Sequence, residues 1–214
     1  MDYTTILFDL DGTLTDPKMG ITKSVQYALR KFNIIEEDLD KLEPFIGPPL
    51  ANSFMELYSF SKLESKKAVE YYREYFKDTG LYENELYAGM NELLEMLINQ
   101  KRVLMVATSK PTIFAERVLK YFNIDKYFEF ICGSNLDGTM SDKSEIIRYI
   151  VKEKNLNKQR TVMVGDRKYD IIGAHNNGID SIGVSYGYGS EKELKNIKPT
   201  HIIKSVQDFM RAFS

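Results

Sequence analysis

The chain of 214 residues has one cysteine, two histidines and no tryptophan. A lone thiol, Cys132, can build neither a disulfide framework within the chain nor a thiolate metal cage. His175 and His201 are too few for a histidine-built zinc site. Charge of one sign is also lacking. The 29 Lys and Arg against 31 Asp and Glu leave a net charge of −2, so no global positive field exists to hold nucleic acid or an anionic membrane. No apolar run approaches the roughly 20 residues of a membrane-spanning helix, and the longest, such as Val103–Ala107, are strand-sized. The opening MDYTTILFDL has an acid at its second residue and no basic region before an apolar stretch, which does not read as a signal peptide. Low-complexity tracts and solenoid repeats are absent as well. These absences describe a soluble, reduced, cytoplasmic protein with neither nucleic acid nor membrane as partner. What is present is ordinary globular usage, 43% hydrophobic and 28% charged, enough for a core without staples. The length suits one domain, or one domain carrying a sizeable insertion.

Short apolar strands alternate with helical patterns over much of the chain, the signature of an open parallel sheet. Strands are expected at Thr5–Asp9, Val103–Ala107, Glu129–Cys132, Thr161–Val164 and Ser181–Val184, with a weaker edge at His201–Ile203. Met90, Leu93, Leu94, Leu97 and Ile98 form one apolar helical stripe; Ile146, Ile147, Ile150 and Val151 form another, and Val206, Phe209, Met210 and Phe213 a closing one. The interval 16–87 breaks the alternation. It has no convincing strand and at least three helical patterns, punctuated by Asp16-Pro17, Gly47-Pro48-Pro49 and Gly80. The fold expected is an α/β doubly wound parallel sheet, residues 1–15 and 88–214, with a helical cap, residues 16–87, inserted after the first strand.

Ligands of such sheets bind at the carboxyl ends of the strands. There the first strand gives Asp9-Leu10-Asp11-Gly12-Thr13, and Gly12 permits a turn that brings both carboxylates to one site. An Asp-Gly pair can equally just mark a turn. The fourth strand ends in Gly165-Asp166-Arg167-Lys168-Tyr169-Asp170, with the two acids as neighbours on an opening helical turn, where a solvated capping role is the plain alternative. Three or four carboxylates at one edge must protonate or bind a cation, and oxygen ligands without clustered His or Cys point to Mg²⁺. The second strand ends in Thr108-Ser109-Lys110-Pro111, hydroxyls followed by a helix start, which suits a phosphate or an ordinary N-cap. Lys143 opens a later helix and adds a positive charge. Arg167 is open between touching a substrate, fixing a neighbouring carboxylate and lying exposed at a helix start. The aromatics Tyr58, Phe60, Tyr71, Tyr72, Tyr75 and Phe76 fit a core better than a base-stacking platform. Lys62, Lys66 and Lys67 read as a solvated face, and His175 as structural. Asn135-Leu136-Asp137-Gly138-Thr139 echoes the first motif without its leading acid and reads as a turn.

DxDGT after strand one, Thr/Ser after strand two, Lys143 before strand four and then GDxxxD resemble, in that order, the haloacid-dehalogenase superfamily. FDLDGTLTD, GDRKYD and Val184–Ser190 are most similar to its phosphoglycolate phosphatase and 5′-nucleotidase group. The resemblance implies a Mg²⁺-dependent phosphatase working through an aspartyl-phosphate. In it Asp9 is the nucleophile and Asp11 the acid and base. Gly12, Thr108, Ser109 and Lys143 hold the phosphoryl group, and Thr108 and Lys143 also count as catalytic. Asp9, Asp11 (through its carbonyl), Asp166 and Asp170 bind the metal. Ser144 stands where many relatives have Pro. The substrate implied is a small phosphorylated metabolite or a nucleoside monophosphate. A phosphomutase and a non-catalytic phospho-acceptor or binding module are the alternatives; dehalogenation would leave Asp11 without a task.

Overall fold

A computed structural model describes every residue from Met1 to Ser214. The chain divides into two compact units, one of Met1–Asp16 with Leu86–Ser214, the other of Pro17–Glu85. The first is α/β. Its strands are β1 (Thr5–Phe8), β4 (Val103–Pro111), β5 (Phe130–Ser134), β6 (Thr161–Gly165), β7 (Asp180–Val184) and β8 (His201–Ile203). They form one sheet in the order β5-β4-β1-β6-β7-β8, and every pairing is parallel. The remaining two strands, β2 (Thr15–Asp16) and β3 (Glu85–Leu86), pair as a short ribbon. That pair is a correction, because no strand was expected in residues 16–87. Two residues each are too few for an alternating pattern to register.

β1 is central and all four of its residues are buried, which is why it reads as an unbroken apolar run rather than an alternation. Leu7, Met105 and Met163 pack against Ile146, Ile147 and Ile150 of α6 (Lys143–Glu153) and Ala174 of α7 (Lys168–Asn177). One residue along, Phe8 turns to Phe209 of α9 (Val206–Phe213) at 5.9 Å between ring centroids, and Phe209 stacks on Phe213 at 4.8 Å. Period-two alternation thus loads both faces of one strand. After β1 the strand order turns outward in both directions, through β4 and β5 on one side and β6 to β8 on the other. The carboxyl ends of β1 and β6 therefore flank the switch point, where such sheets bind ligands.

The second unit is helical: α1 (Lys18–Arg30), α2 (Leu50–Tyr58) and α3 (Lys62–Tyr75), the last continuing into a π-helical turn over Phe76–Gly80. α3 starts on a reciprocal cap, in which Ser61 Oγ accepts from the Glu64 N–H and the Glu64 carboxylate accepts from the Ser61 N–H. Ala28, Leu29, Phe45, Phe54, Ala68 and Phe76 are buried. Phe60 stacks on Phe54 at 5.8 Å and Tyr72 on Phe76 at 5.2 Å. These aromatics serve the interior of their own unit. Lys62, Lys66 and Lys67 are exposed. No helix is long and apolar enough to cross a membrane.

Candidate active site

Asp9 follows β1 directly, and its N–H still bonds Val164 O of β6 at 2.8 Å. The chain then turns tightly: Leu10 O accepts from Leu14 N at 2.9 Å and Thr15 N at 3.1 Å, and Gly12 N donates to Thr15 O at 2.8 Å. Gly12 sits at φ +80°, and a Cβ there would lie 2.7 Å from Asp166 Cγ. Glycine is needed on both counts, conformation and close approach. The turn is what lets the end of β1 meet the end of β6.

Three carboxylates converge at that meeting. Asp9, Asp166 and Asp170 are buried, with ligand oxygens all within 4.8 Å of one another. Asp166 follows β6, with Oδ2 accepting from Tyr188 N at 2.7 Å and Oδ1 from Thr13 Oγ1 at 3.4 Å. Asp170 lies in the first turn of α7 and accepts from Arg167 N at 3.1 Å. Lys143, at the start of α6, binds two of the three from a side chain 3% exposed: Asp9 Oδ1 at 2.8 Å and Asp170 Oδ1 at 2.5 Å. Its third donor goes to Ala107 O at 2.9 Å, so all three hydrogens of the ammonium are satisfied. Burial raises Asp166 well above the usual carboxylate range, and Asp170 and Asp9 add to the rise. Asp170 is pushed up to about 6, chiefly by burial, against the pull of Lys143.

Asp11 stands apart from the triad. Its carboxylate accepts from Lys110 Nζ at 2.8 and 2.6 Å. Burial raises its pKa, the Lys110 ammonium opposing. Four buried carboxylates thus face two ammonium groups, Lys143 and Lys110. With all six ionised, two negative charges remain. The oxygen-only donor set and that excess fit one hard divalent cation held by Asp9, Asp166 and Asp170.

Thr108 is buried and its Oγ1 accepts from Lys110 N at 3.2 Å; Ser109 is half-buried and its carbonyl accepts from Ser134 Oγ at 2.9 Å. The strand was expected over Val103–Ala107, with a helix start after the hydroxyls; a helix does follow them, but the strand runs further and the N-cap position of the helix is Pro111 rather than Thr108 or Ser109. β4 continues to Pro111 through a register irregularity, and α5 (Thr112–Tyr121) begins only after it. Proline's fixed φ and missing N–H suit the strand end but not a helix interior, so the hydroxyls lie on irregular strand. Arg167 turns its Nε to Glu193 Oε1 at 3.1 Å. His175 is exposed at the end of α7 rather than packed with its apolar neighbours. Asn135–Thr139 is an exposed turn closed by Asn135 N to Thr139 O at 3.0 Å.

Two contributions escaped the sequence. A lone Lys such as Lys110 usually reads as surface, and only its place beside Thr108 and Ser109 was a signal. Tyr188 acts through its backbone N–H on Asp166, which no side-chain pattern encodes. Its hydroxyl donates to Asp16, and Tyr186 Oη donates to Thr13 O at 3.0 Å, so the loop after β7 is tied to the turn after β1.

The family model for haloacid dehalogenase-like hydrolases matches residues 6–184, a span that takes in Asp9, Lys143 and Asp170. The chain belongs to that family. It is 51% identical over 199 residues to a 5′-nucleotidase of Pseudomonas aeruginosa, covering 93% of this chain and 90% of that protein. It is 35% identical over 184 residues to the tyrosine-protein kinase PtkA of Mycobacterium tuberculosis, covering 86% of this chain and 62% of that longer protein. A crystal structure described as a predicted phosphatase from Clostridium acetobutylicum superposes with a TM-score of 0.96 at 48% identity, covering 99% of this chain and 98% of that one. As a family member the chain is a hydrolase, built on the α/β parallel sheet described above.

Proposed function

We propose that the protein is a Mg²⁺-dependent phosphatase of small phosphomonoesters, with nucleoside monophosphates as the first substrate class and phosphoglycolate-like esters as the second. The helical unit Pro17–Glu85 is assigned the role of a substrate-selecting cap. The observation that carries the reading is Lys143 bridging Asp9 and Asp170 inside a buried carboxylate triad. The 51% identity to a protein named 5′-nucleotidase favours nucleotides.

Asp9 Oδ1 is held by Leu10 N at 2.7 Å and by Lys143, while Oδ2 accepts no hydrogen bond from the chain and is the oxygen left to attack phosphorus. As the Asp9–phosphorus bond forms, the bond to the leaving oxygen breaks and Asp11 gives that oxygen its proton. Water then attacks phosphorus, its proton passes to the Asp11 carboxylate, and the Asp9–phosphorus bond breaks to release phosphate. Lys143, Thr108 and Ser109, with the backbone at Gly12, hold the phosphoryl oxygens in line. Bound Mg²⁺ would be held by Asp9, Asp166, Asp170 and the Asp11 carbonyl, and would supply charge neutralisation for the transferring group.

The test is phosphate release with Mg²⁺ from nucleoside monophosphates, phosphoglycolate, pyrophosphate and sugar phosphates. Wild type turns over one class preferentially, and Asp9→Asn loses on the order of a thousandfold or more while remaining folded. Substantial Mg²⁺-dependent turnover by folded Asp9→Asn removes Asp9 from its role. Phosphoryl transfer to an organic acceptor without free phosphate would make the protein a transferase.

A further inference from the structure

Lys110 is a buried ammonium to which the two-step reaction gives no task. Its side chain is 6% exposed and that of its partner Asp11 is 11% exposed. Desolvating a lysine this far is costly unless a partner compensates, and here the partner is the carboxyl group that must move a proton twice. Asp11 has two side-chain torsions and lies on a turn. The hydrogen bonds that reach its carboxylate from the chain come from Lys110, one to each oxygen. Lys110 is itself fixed at the irregular end of β4, its N–H on Thr108 Oγ1 and Pro111 following it. The contrast with Asp9 is informative, because Asp9 is oriented by a backbone N–H as well as by Lys143.

We propose that Lys110 is the positioning residue for Asp11, setting the direction of its carboxyl group for both proton transfers. The proposal rests on the reading in which Asp11 serves the leaving oxygen. In the first step the Asp11 proton goes to that oxygen as its bond to phosphorus breaks, leaving the carboxylate that Lys110 grips. In the second, that carboxylate takes the proton of the attacking water as the Asp9–phosphorus bond breaks.

A leaving group that needs no proton separates this role from a merely structural one. In Lys110→Gln, kcat/KM for a nucleoside monophosphate falls about 100-fold. For nitrophenyl phosphate, whose nitrophenolate departs unprotonated, kcat/KM changes less than about threefold, while kcat and KM fall together because dephosphorylation is slowed. In an Asp11→Asn background the same substitution costs less than about twofold on the nucleoside monophosphate, since its effect runs through Asp11. The double variant also removes the unpaired buried charge, so it reports even where Lys110→Gln alone folds poorly. Equal losses of kcat/KM on both esters, or a loss in the Asp11→Asn background as large as in wild type, overturns the proposal. Wild type showing no Asp9-dependent phosphate release defeats instead the phosphatase reading on which it stands.

Discussion

The two units treat charge in opposite ways. In the helical unit no Asp, Glu, Lys or Arg is buried, and its ion pairs, such as Lys18 with Asp40 at 2.7 Å and Glu43 at 2.5 Å, involve side chains at least 21% exposed. Three of its buried hydroxyls bond back along their own helix, Thr22 to Lys18 O at 2.6 Å, Ser24 to Gly20 O at 2.5 Å and Ser65 to Lys62 O at 3.1 Å. In the α/β unit Asp9, Asp11, Asp166, Asp170 and Lys143 are all buried. Stability alone does not call for such a cluster, because well-packed apolar groups of similar volume commonly do as well or better. Buried, mutually perturbing charges in one unit and a conventional apolar interior in the other separate a region shaped by chemistry from one shaped by packing.

Substituting one lysine in each unit breaks the comparison most sharply. Lys143→Met strands Asp9 and Asp170 without their shared cation and should destabilise the protein by about 3–5 kcal/mol. Lys18→Met, losing two partly exposed pairs, should cost at most about 1 kcal/mol. Urea unfolding of both variants checks the difference, and equal costs would mean that burial does not distinguish the two pairs.

Metal and pH give a smaller effect confined to the α/β unit. Asp170 is raised to about 6 and Asp166 well above its ordinary 3.8. A carboxyl whose folded pKa is raised adds stability below its unfolded value and loses it as pH climbs through the folded one. The metal-free protein is therefore penalised from about pH 4 through 6 and beyond, and a divalent cation, which competes with those protons, relieves the penalty. Millimolar Mg²⁺ should raise Tm by about 3 °C or more at about pH 8, by less at about pH 5, and hardly at all in Asp166→Asn. A Tm shift in Asp166→Asn equal to that of wild type would place the cation elsewhere.

The smallest effect belongs to the helical unit. Ser61→Ala removes the cap of α3 and should cost about 1 kcal/mol. Thermal or urea unfolding reads that loss, and kcat/KM should stay within about twofold of wild type, as expected of an exposed cap that stabilises without taking part in chemistry.

Much of this molecule is written in local pattern. Continuous apolar runs mark β1 and β6, because strands buried on both faces need no polar alternation. Of the expected stripe, Met90, Leu93, Leu94 and Leu97 form the buried face of α4 (Met90–Asn99), as 3.6-residue periodicity requires, while Ile98 is exposed in its last turn. Acids and hydroxyls at the strand ends can be listed from the sequence because strand ends are where the apolar runs stop. Two-residue strands, the extension of β4 to Pro111 and the exposure of His175 are invisible to periodicity, since pairing partners and long-range neighbours decide them.

The tertiary structure alone decided which charges meet. Asp11 and Lys110 are 99 residues apart in sequence, Lys143 and Asp170 27 apart, and no local rule links them. Their pairing follows from parallel strands that bring distant carboxyl ends to one edge, where low dielectric makes each partner indispensable. Sequence determined the inventory of reactive groups and the strands that hold them. Packing determined that Lys143 binds the triad, that Lys110 binds Asp11, and that a backbone N–H of Tyr188 orients Asp166, because burial and proximity are properties of the assembled sheet.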